Sequence, residues 1–530
     1  MSSTTGSSYD EIPYEGFARF ETHPDHLAAL ARLFDVSSPE VETCRVLEVG
    51  CARGDNLIPM AVSLPMAQFV GIDVSRRQIE EGRATIVAMG LTNVELLEQS
   101  IMDVTADFGS FDYIVAHGVY SWINDEVQER LLGLVAERLA PDGLAYISYN
   151  TYPGWHMGTM VRDMMMFHSR NVTEKREKVR VSRTFLQSLA QLTAKYDNPY
   201  VLCLREEAEL IRVRPDFYIY HEYFAESHQP VYFHQFVERA AAHGLQYVAE
   251  VPFKNMAVAQ SPELFRSLAG SEFDWLTREQ YHDFVRGQSF RQSVLCRDQR
   301  PCSRTPSARA LMSLRSTVSV RPATTVPVSN PDPDVTEDFQ ALSGQAVFST
   351  ADPLLKTVLR TLWEAWPKSL PFETLRSRIE ARLGPLGETH DGQPGVVSTQ
   401  LVDALLSCLG KGLIELHVRE PAFTTEINEF PCASPLARRQ AVEGMRVANL
   451  RNHVVSLLDF DRLVLAHLDG RHDRRALLAE LQTAAANGVF TVHVQGRPVT
   501  DPQEFGHLFT RALEESLERL ATGALLLSPG

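Results

Sequence analysis

The chain has 530 residues, 44% hydrophobic and 22% charged, with a formal net charge of −16. That length fits about three or four domains, and the acidity argues against a general nucleic-acid binder, which neutralises phosphates with clustered Lys and Arg. No run of ~18 apolar residues is present to span a membrane. Met1-Ser2-Ser3-Thr4 lacks the basic-then-apolar pattern of a signal peptide, so the cytosol is the expected compartment. The seven cysteines include no CxxC pair, which supports neither a metal site nor a disulfide framework.

Residues 1–43 read as an N-terminal cap segment: a polar tail, then Tyr9-Asp10-Glu11-Ile12-Pro13-Tyr14, then a helix over 26–34 announced by Thr22-His23-Pro24-Asp25. From 44 to 154 strand and helix signals alternate. Strands are predicted at 45–49, 68–72, 94–98, 111–116 and 144–149, and helices at 55–63, 76–89 and 124–139. This alternation implies an α/β, Rossmann-like parallel sheet with helices on both faces. Residues 155–232 interrupt it as an insertion, helical to 195 with Met164-Met165-Met166 near its start, then aromatic and irregular over 197–232. Helix 233–243 and strands 245–251 and 289–297 follow, a region 233–297 that completes the core. Residues 298–345, rich in Ser, Thr, Pro and Arg, read as a linker in which 310–320 has strand character. Helices at 352–366, 371–383 and 398–412 before a strand at 413–418 give a winged-helix-like domain over 346–422. Residues 423–530 read as a helical C-terminal domain that closes on an amphipathic helix over 503–521, with a strand at 490–494 and a turn at 495–498. Because the sheet is complete by Arg297, residues 346–530 are expected to be separable from it.

The chemistry concentrates where strand 45–49 meets Gly50-Cys51-Ala52-Arg53-Gly54, with Asp73 at the end of the next strand. A glycine-broken turn after a strand offers backbone N–H groups to a nucleotide-like ligand, and the strand-end acid grips ribose hydroxyls. Glu48-x-Gly50-x-x-x-Gly54 is not the pyrophosphate pattern. It resembles the turn of class I S-adenosylmethionine (SAM) methyltransferases, whose cofactor has no phosphates. That resemblance implies cofactor contacts at Glu48, Gly50, Cys51, Gly54, Asp73 and the adjacent Val74. It also implies an adenine pocket at Gln99-Ser100-Ile101-Met102-Asp103, where Ser100 occupies the usual acid position, Ile101 offers an apolar face and Asp103 is an alternative contact. The loop after the fourth strand, His117-Gly118-Val119-Tyr120-Ser121-Trp122, should face the transferring methyl. There His117 is both a cofactor contact and a candidate base, and Tyr120 lines the acceptor. Tyr149, Asn150 and Tyr152 close strand five and suit an amine nitrogen. The loop is superficially like the Asn-Pro-Pro-aromatic loop of amino-group methyltransferases but lacks the proline after Asn150. His221-Glu222-Tyr223-Phe224 and Tyr232-Phe233-His234 lack metal-ligand spacing and read as core or substrate platform.

Further strings carry a more specific resemblance: Pro13-Tyr14, Asn56-Leu57-Ile58-Pro59-Met60-Ala61, Gly71-Ile72-Asp73, His117 to Trp122, Tyr149 to Trp155 and Pro230 to Phe236. Together they are similar to bacterial class I methyltransferases that carry a "methyltransferase regulatory domain", a group that includes rickettsial protein lysine methyltransferases acting on outer-membrane protein. The resemblance implies a seven-stranded core with a large insertion after strand five, a cofactor contact at Tyr14, and lysine methylation. The insertion would then be a lid, a substrate platform or a dimerisation element of a homodimer. Ala52, Asp55 and Ser100 depart from the family's Gly, Gly and Asp. The expected function is methyl transfer to an amine, with a protein or peptide substrate, no nucleic acid and no membrane. Alternatives are a small-molecule or peptide natural-product methyltransferase, and a SAM-sensing module that binds nucleic acid.

Overall fold

The structure, a computed structural model, describes residues 16–256, 274–324, 332, 334–386, 399–488, 493–494, 497–498 and 502–528. Tyr14 and the string Tyr9 to Pro13 lie outside the described residues, as do 490–492 of the strand expected at 490–494.

Strand β1 (Arg45–Val49) is an interior strand of a seven-stranded sheet, third from one edge. Val46, Leu47 and Val49 are fully buried, as befits a parallel strand covered on both faces. The order is β3-β2-β1-β4-β5-β7-β6, from β2 (Gln68–Asp73), β3 (Val94–Glu98), β4 (Phe111–Ala116), β5 (Leu139–Asn150), β6 (Leu245–Glu250) and β7 (Phe290–Arg297). β7 runs antiparallel to both neighbours. The helices start where their caps dictate. The Ser75 side chain caps Arg76–Met89, which stops at left-handed Gly90, and Asn124 caps Asp125–Arg138.

The insertion is more regular than its sequence suggests. Its four helices, Trp155–His168, Lys175–Thr193, Pro199–Val213 and Asp216–Phe224, share a core of Val161, Met165, Val179, Leu186, Leu204, Ile211 and Ile219. The last two replace the irregular segment expected over 197–232. Asn198 caps the third, with Pro199 in its first turn. The fourth is aromatic enough to bury much of its surface and shows no polar stripe.

The described part of 298–345 is not an open connection. Ser303 N–H donates to Phe34 O and Ser307 N–H to Leu33 O, at 2.8 and 2.7 Å. Arg300 reaches Gly143 O at 3.1 Å, and Arg304 reaches Tyr247 O at 2.5 Å. β8 (Arg315–Val318) then forms the middle of a sheet between β9 (Leu370–Pro371) and β10 (Ile414–His417). The module built on helices Pro353–Ala365, Phe372–Leu383 and Thr399–Gly410 therefore takes its central strand from the supposed linker.

Separability of residues 346–530 also gives way, because one apolar cluster runs from Ala18 through the sheet to Leu416, Leu436 and Ala448. Polar groups fasten the same contact. The buried carboxylate of Asp25, in helix Pro24–Leu33, meets His417 Nδ1 at 2.6 Å and the N–H groups of Val418 and Arg419 at 2.9 and 3.0 Å. Burial alone would raise Asp25, but His417 and these donors outweigh it and hold the carboxyl at about 2. Asn452 donates to Arg19 O at 2.9 Å, and Phe20 stacks on His453. His23 and His26 beside this contact are lowered to about 4, chiefly by burial. Unfolding frees both histidines to bind protons near their ordinary 6.5, so the unfolded state takes up more protons between pH 6.5 and 4. Between pH 6.5 and 4.5 His26→Gln should lose less of its thermal midpoint than wild type, because it lacks one of the two histidines; equal losses in the two proteins contradict this.

Candidate functional site

β1 ends at Glu48 and Val49 and turns through Gly50 (φ 72°), Ala52 (φ 49°) and Gly54 (φ 79°). A Cβ on Gly50 would lie 2.5 Å from Val119 Cγ2, so glycine lets the β4 loop close on the turn. Ala52 holds a left-handed conformation that disfavours a side chain by ~1–2 kcal/mol. Its N–H donates to Asp73 Oδ2 at 2.9 Å, which offsets the strain. The other Asp73 oxygen accepts from Ser75 N–H at 2.8 Å. The carboxylate thus fixes both the glycine turn and the start of the next helix.

The turn does not present its N–H groups to a ligand as the sequence suggests. Gly50 and Cys51 donate to Ile72 O at 2.8 and 3.1 Å, and Gly54 donates to Cys51 O at 2.8 Å. The Cys51 side chain is buried, and a Cβ on Gly71 would lie 2.7 Å from its Sγ. A cofactor without phosphates has no need of those donors.

Glu48 is buried, with Oε1 accepting from Asn56 Nδ2 at 2.8 Å. Its Oε2 is buried without a hydrogen-bond partner, and burial pushes the carboxyl up to about 7. An orphaned acceptor of this kind fits the ammonium of the cofactor's methionine portion. Arg19 lies close enough to act electrostatically on Glu48 and on His117. The segment from Gly16 to Thr22 crosses this turn. Asp55, the departure from the family's glycine, pairs with Arg53 at 2.7 Å and accepts from the Gly16 backbone.

Beyond Asp73, an open groove of about 390 Å³ is lined by Val74, Glu98, Gln99, Ser100 and Asp103. This is the expected adenine position. Ser100 Oγ also caps the short turn after it, accepting from Met102 N–H at 3.2 Å. Ile101 is half-buried. Glu98, the last residue of β3, was missed in the sequence because it reads as an ordinary solvent-facing strand residue.

The loops after β4 and β5 meet beside the turn. Gly118 N–H donates to Ser148 Oγ, and Asn150 N–H to Ser121 Oγ, each at 2.8 Å. His117 Nδ1 lies 2.8 Å from Tyr146 Oη. Burial first, and Arg19 second, push His117 well below its ordinary value, so it is a neutral hydrogen-bonding group and a weak base. Asn150 Nδ2 lies 3.3 Å from His228 Nε2, and the Asn150 side chain also hydrogen-bonds Glu222. Trp122 stacks on His228 with centroids 4.8 Å apart, and Trp155 meets it edge-on at 4.5 Å. Tyr152, half-buried at the rim, stacks on His156.

Tyr120 and Tyr149 are corrections. Both are fully buried. Strand alternation turns Tyr149 away from Ser148 and Asn150, so its ring stacks on Phe236 and its hydroxyl meets Ser293 Oγ at 3.1 Å. Tyr120 packs edge-on against Phe236 and Tyr149. They support the slot from behind and do not line it. Glu222 and His228, by contrast, come from the insertion, more than 70 residues beyond Asn150, and only the fold brings them here. Among the described residues no cluster suits a metal ion, and no helix is long and apolar enough to cross a membrane.

Three family models match the chain: "methyltransferase domain" over 46–143, "predicted methyltransferase regulatory domain" over 215–297 and "PKMT, C-terminal winged helix domain" over 429–525. The last falls on the segment read from sequence as the helical C-terminal domain, not on 346–422. An uncharacterised protein of Rickettsia prowazekii is 31% identical over 527 residues, 98% of this chain and 93% of that protein. A second protein of that organism is 43% identical over 237 residues, 45% of this chain and 95% of its own. The structure of PKMT2 from Rickettsia typhi in complex with AdoHcy matches with a TM-score of 0.83 at 28% identity, over 97% of this chain and 100% of that one. With the sheet order, the glycine turn and the Asp73 carboxylate in place, the chain belongs to the class I SAM-dependent methyltransferases that carry a methyltransferase regulatory domain, and SAM is its cofactor.

Proposed function

We propose that the methyl acceptor is an amine, the side chain of a protein lysine. The observation that carries this reading is the setting of Asn150. Its amide N–H groups face His228 and Glu222, which leaves Oδ1 to accept from an acceptor N–H and orient the nitrogen lone pair. Trp122 and Trp155 wall the slot, and aromatic faces favour a cationic or alkylammonium group. Neither loop supplies a Lys or Arg to hold a carboxylate. The guanidinium of Arg162 donates to the carbonyls of Tyr223 and Ala225. The likeness to PKMT2 supports the same reading.

SAM supplies an electrophilic methyl on a sulfonium. The chain's part is to hold the ribose at Asp73, the adenine along Val74 and Ser100, and the ammonium at Glu48, while the two loops fix the acceptor in line.

Asp73→Ala should stay folded and lose at least about 100-fold in SAM affinity by calorimetry, since two charge-assisted hydroxyl contacts contribute ~1.5–3 kcal/mol each. Asn150→Ala should lower turnover on the order of 10²-fold with SAM affinity retained. Tyr149→Phe, whose hydroxyl faces Ser293, should stay within a few-fold of wild type; the opposite ranking returns Tyr149 to the slot. Incubation with methyl-labelled SAM and a bacterial lysate, followed by acid hydrolysis, should leave the label in methylated lysine. Base-labile methyl ester as the main product refutes the amine assignment.

A further inference from the structure

We propose that Glu222, carried into the slot by the insertion, is the base that removes the proton from the incoming ammonium. The proposal rests on the lysine reading above and assigns the step that reading leaves open. A lysine side chain, with an ordinary pKa near ~10.4, arrives protonated and without a lone pair to attack.

The geometry singles out this carboxyl. Glu222 lies on the last helix of the insertion, Asp216–Phe224, and bonds the side chain of Asn150, the residue that ends β5. His228 reaches the same Asn150 from the other side. Glu222 is enclosed yet keeps part of its surface open. Among the described residues Glu222 is in no ion pair shorter than 4 Å. Arg214 acts on it electrostatically. Arg162, which acts on His228, is engaged by two carbonyls. The neighbouring Tyr223 turns its hydroxyl to Glu207 at 3.1 Å. His228, lowered to about 4 by burial and by Arg162, stays neutral. Burial pushes Glu222 up to about 7 against the opposing pull of Asn150 and Arg214, which suits a base working at neutral pH. His117 is held too far below that range to serve.

The step balances. An N–H bond of the ammonium breaks, its proton goes to the Glu222 carboxylate, and the electron pair stays on nitrogen. That pair forms the new N–CH3 bond while the C–S bond breaks with its electrons kept by sulfur. The product is a secondary ammonium beside a neutral thioether, and the Glu222 proton leaves through the open rim.

The test is the pH dependence of label transfer to lysine in the lysate protein fraction, using the full chain. Wild type should level off above pH about 7. Glu222→Gln, with unchanged SAM affinity and thermal midpoint, should be slower by about 50-fold at pH 7 and gain about tenfold per pH unit, so that the gap narrows to about fivefold at pH 8 and closes before pH 9. Should the Gln variant misfold, Glu222→Asp keeps a carboxylate and should retain the wild-type inflection at a lower rate. A Gln profile that runs parallel to wild type, or an Asp profile that lacks the wild-type inflection, overturns the proposal and leaves the residue a packing role. Wild type that labels no lysine at any pH overturns the amine reading instead.

Discussion

The amide of Asn56 is where the separate parts of this enzyme are tied together. Nδ2 donates to Glu48 Oε1 at 2.8 Å and to Thr22 Oγ1 at 2.9 Å, and Oδ1 accepts from Arg19 N–H at 2.9 Å. One buried side chain thus joins the end of β1, the first turn of the helix after it and the segment that crosses the cofactor turn. Asn452 extends the chain of bonds by donating to Arg19 O, which brings the C-terminal half into register with Glu48. Because Thr22, Glu48, Asn56 and Asn452 are buried, loss of one partner strands another without water to replace it. The cofactor turn, the crossing segment and the C-terminal modules therefore stand or fall together.

A second buried network stiffens the far side of the slot. Arg291 is fully buried against Asp283, Glu250 and Glu279 at 2.7, 3.2 and 3.3 Å, and its guanidinium lies over the Phe233 ring. Three acids around one cation leave an excess of negative charge, and burial raises Glu250 to about 7 despite the arginine. A protonated Glu250 removes part of that excess. The network holds β6, β7 and helix Trp275–Arg286 behind Tyr149, which is why that tyrosine is a packing residue.

The sheet was legible in the sequence because parallel strands buried on both faces read as continuous apolar runs, and their caps and glycines mark the turns. Asp73, Gly50 and the groove at Ser100 were legible for the same reason: strand ends fix their place. Helix Asp216–Phe224 was not, since Asp-Phe-Tyr-Ile-Tyr-His-Glu-Tyr-Phe is apolar around most of its circumference and carries no period. The segment 298–345 misled because its serines, prolines and arginines are typical of loops, whereas here Arg300 and Arg304 bind backbone carbonyls of the sheet. Tyr149 and Tyr120 were misplaced because residue type was read without side-chain direction. Glu222 had no local signal at all, since only tertiary contact gives a lone acid in an aromatic helix a partner such as Asn150.

The two ends of the insertion leave and return side by side. Thr151 bridges Val231 in the sheet direction, and Thr151 Oγ1 donates to Val231 O at 2.7 Å. An excursion of this size that begins and ends at neighbouring points adds little closure entropy to the folding of the sheet, because that entropy grows only with the logarithm of loop length. The insertion can therefore be lengthened, shortened or exchanged in descendants of this chain with the cofactor half left intact. Such grafts would rewrite acceptor selectivity, since Glu222 and His228 travel with the exchanged piece while Asp73 and Glu48 stay behind.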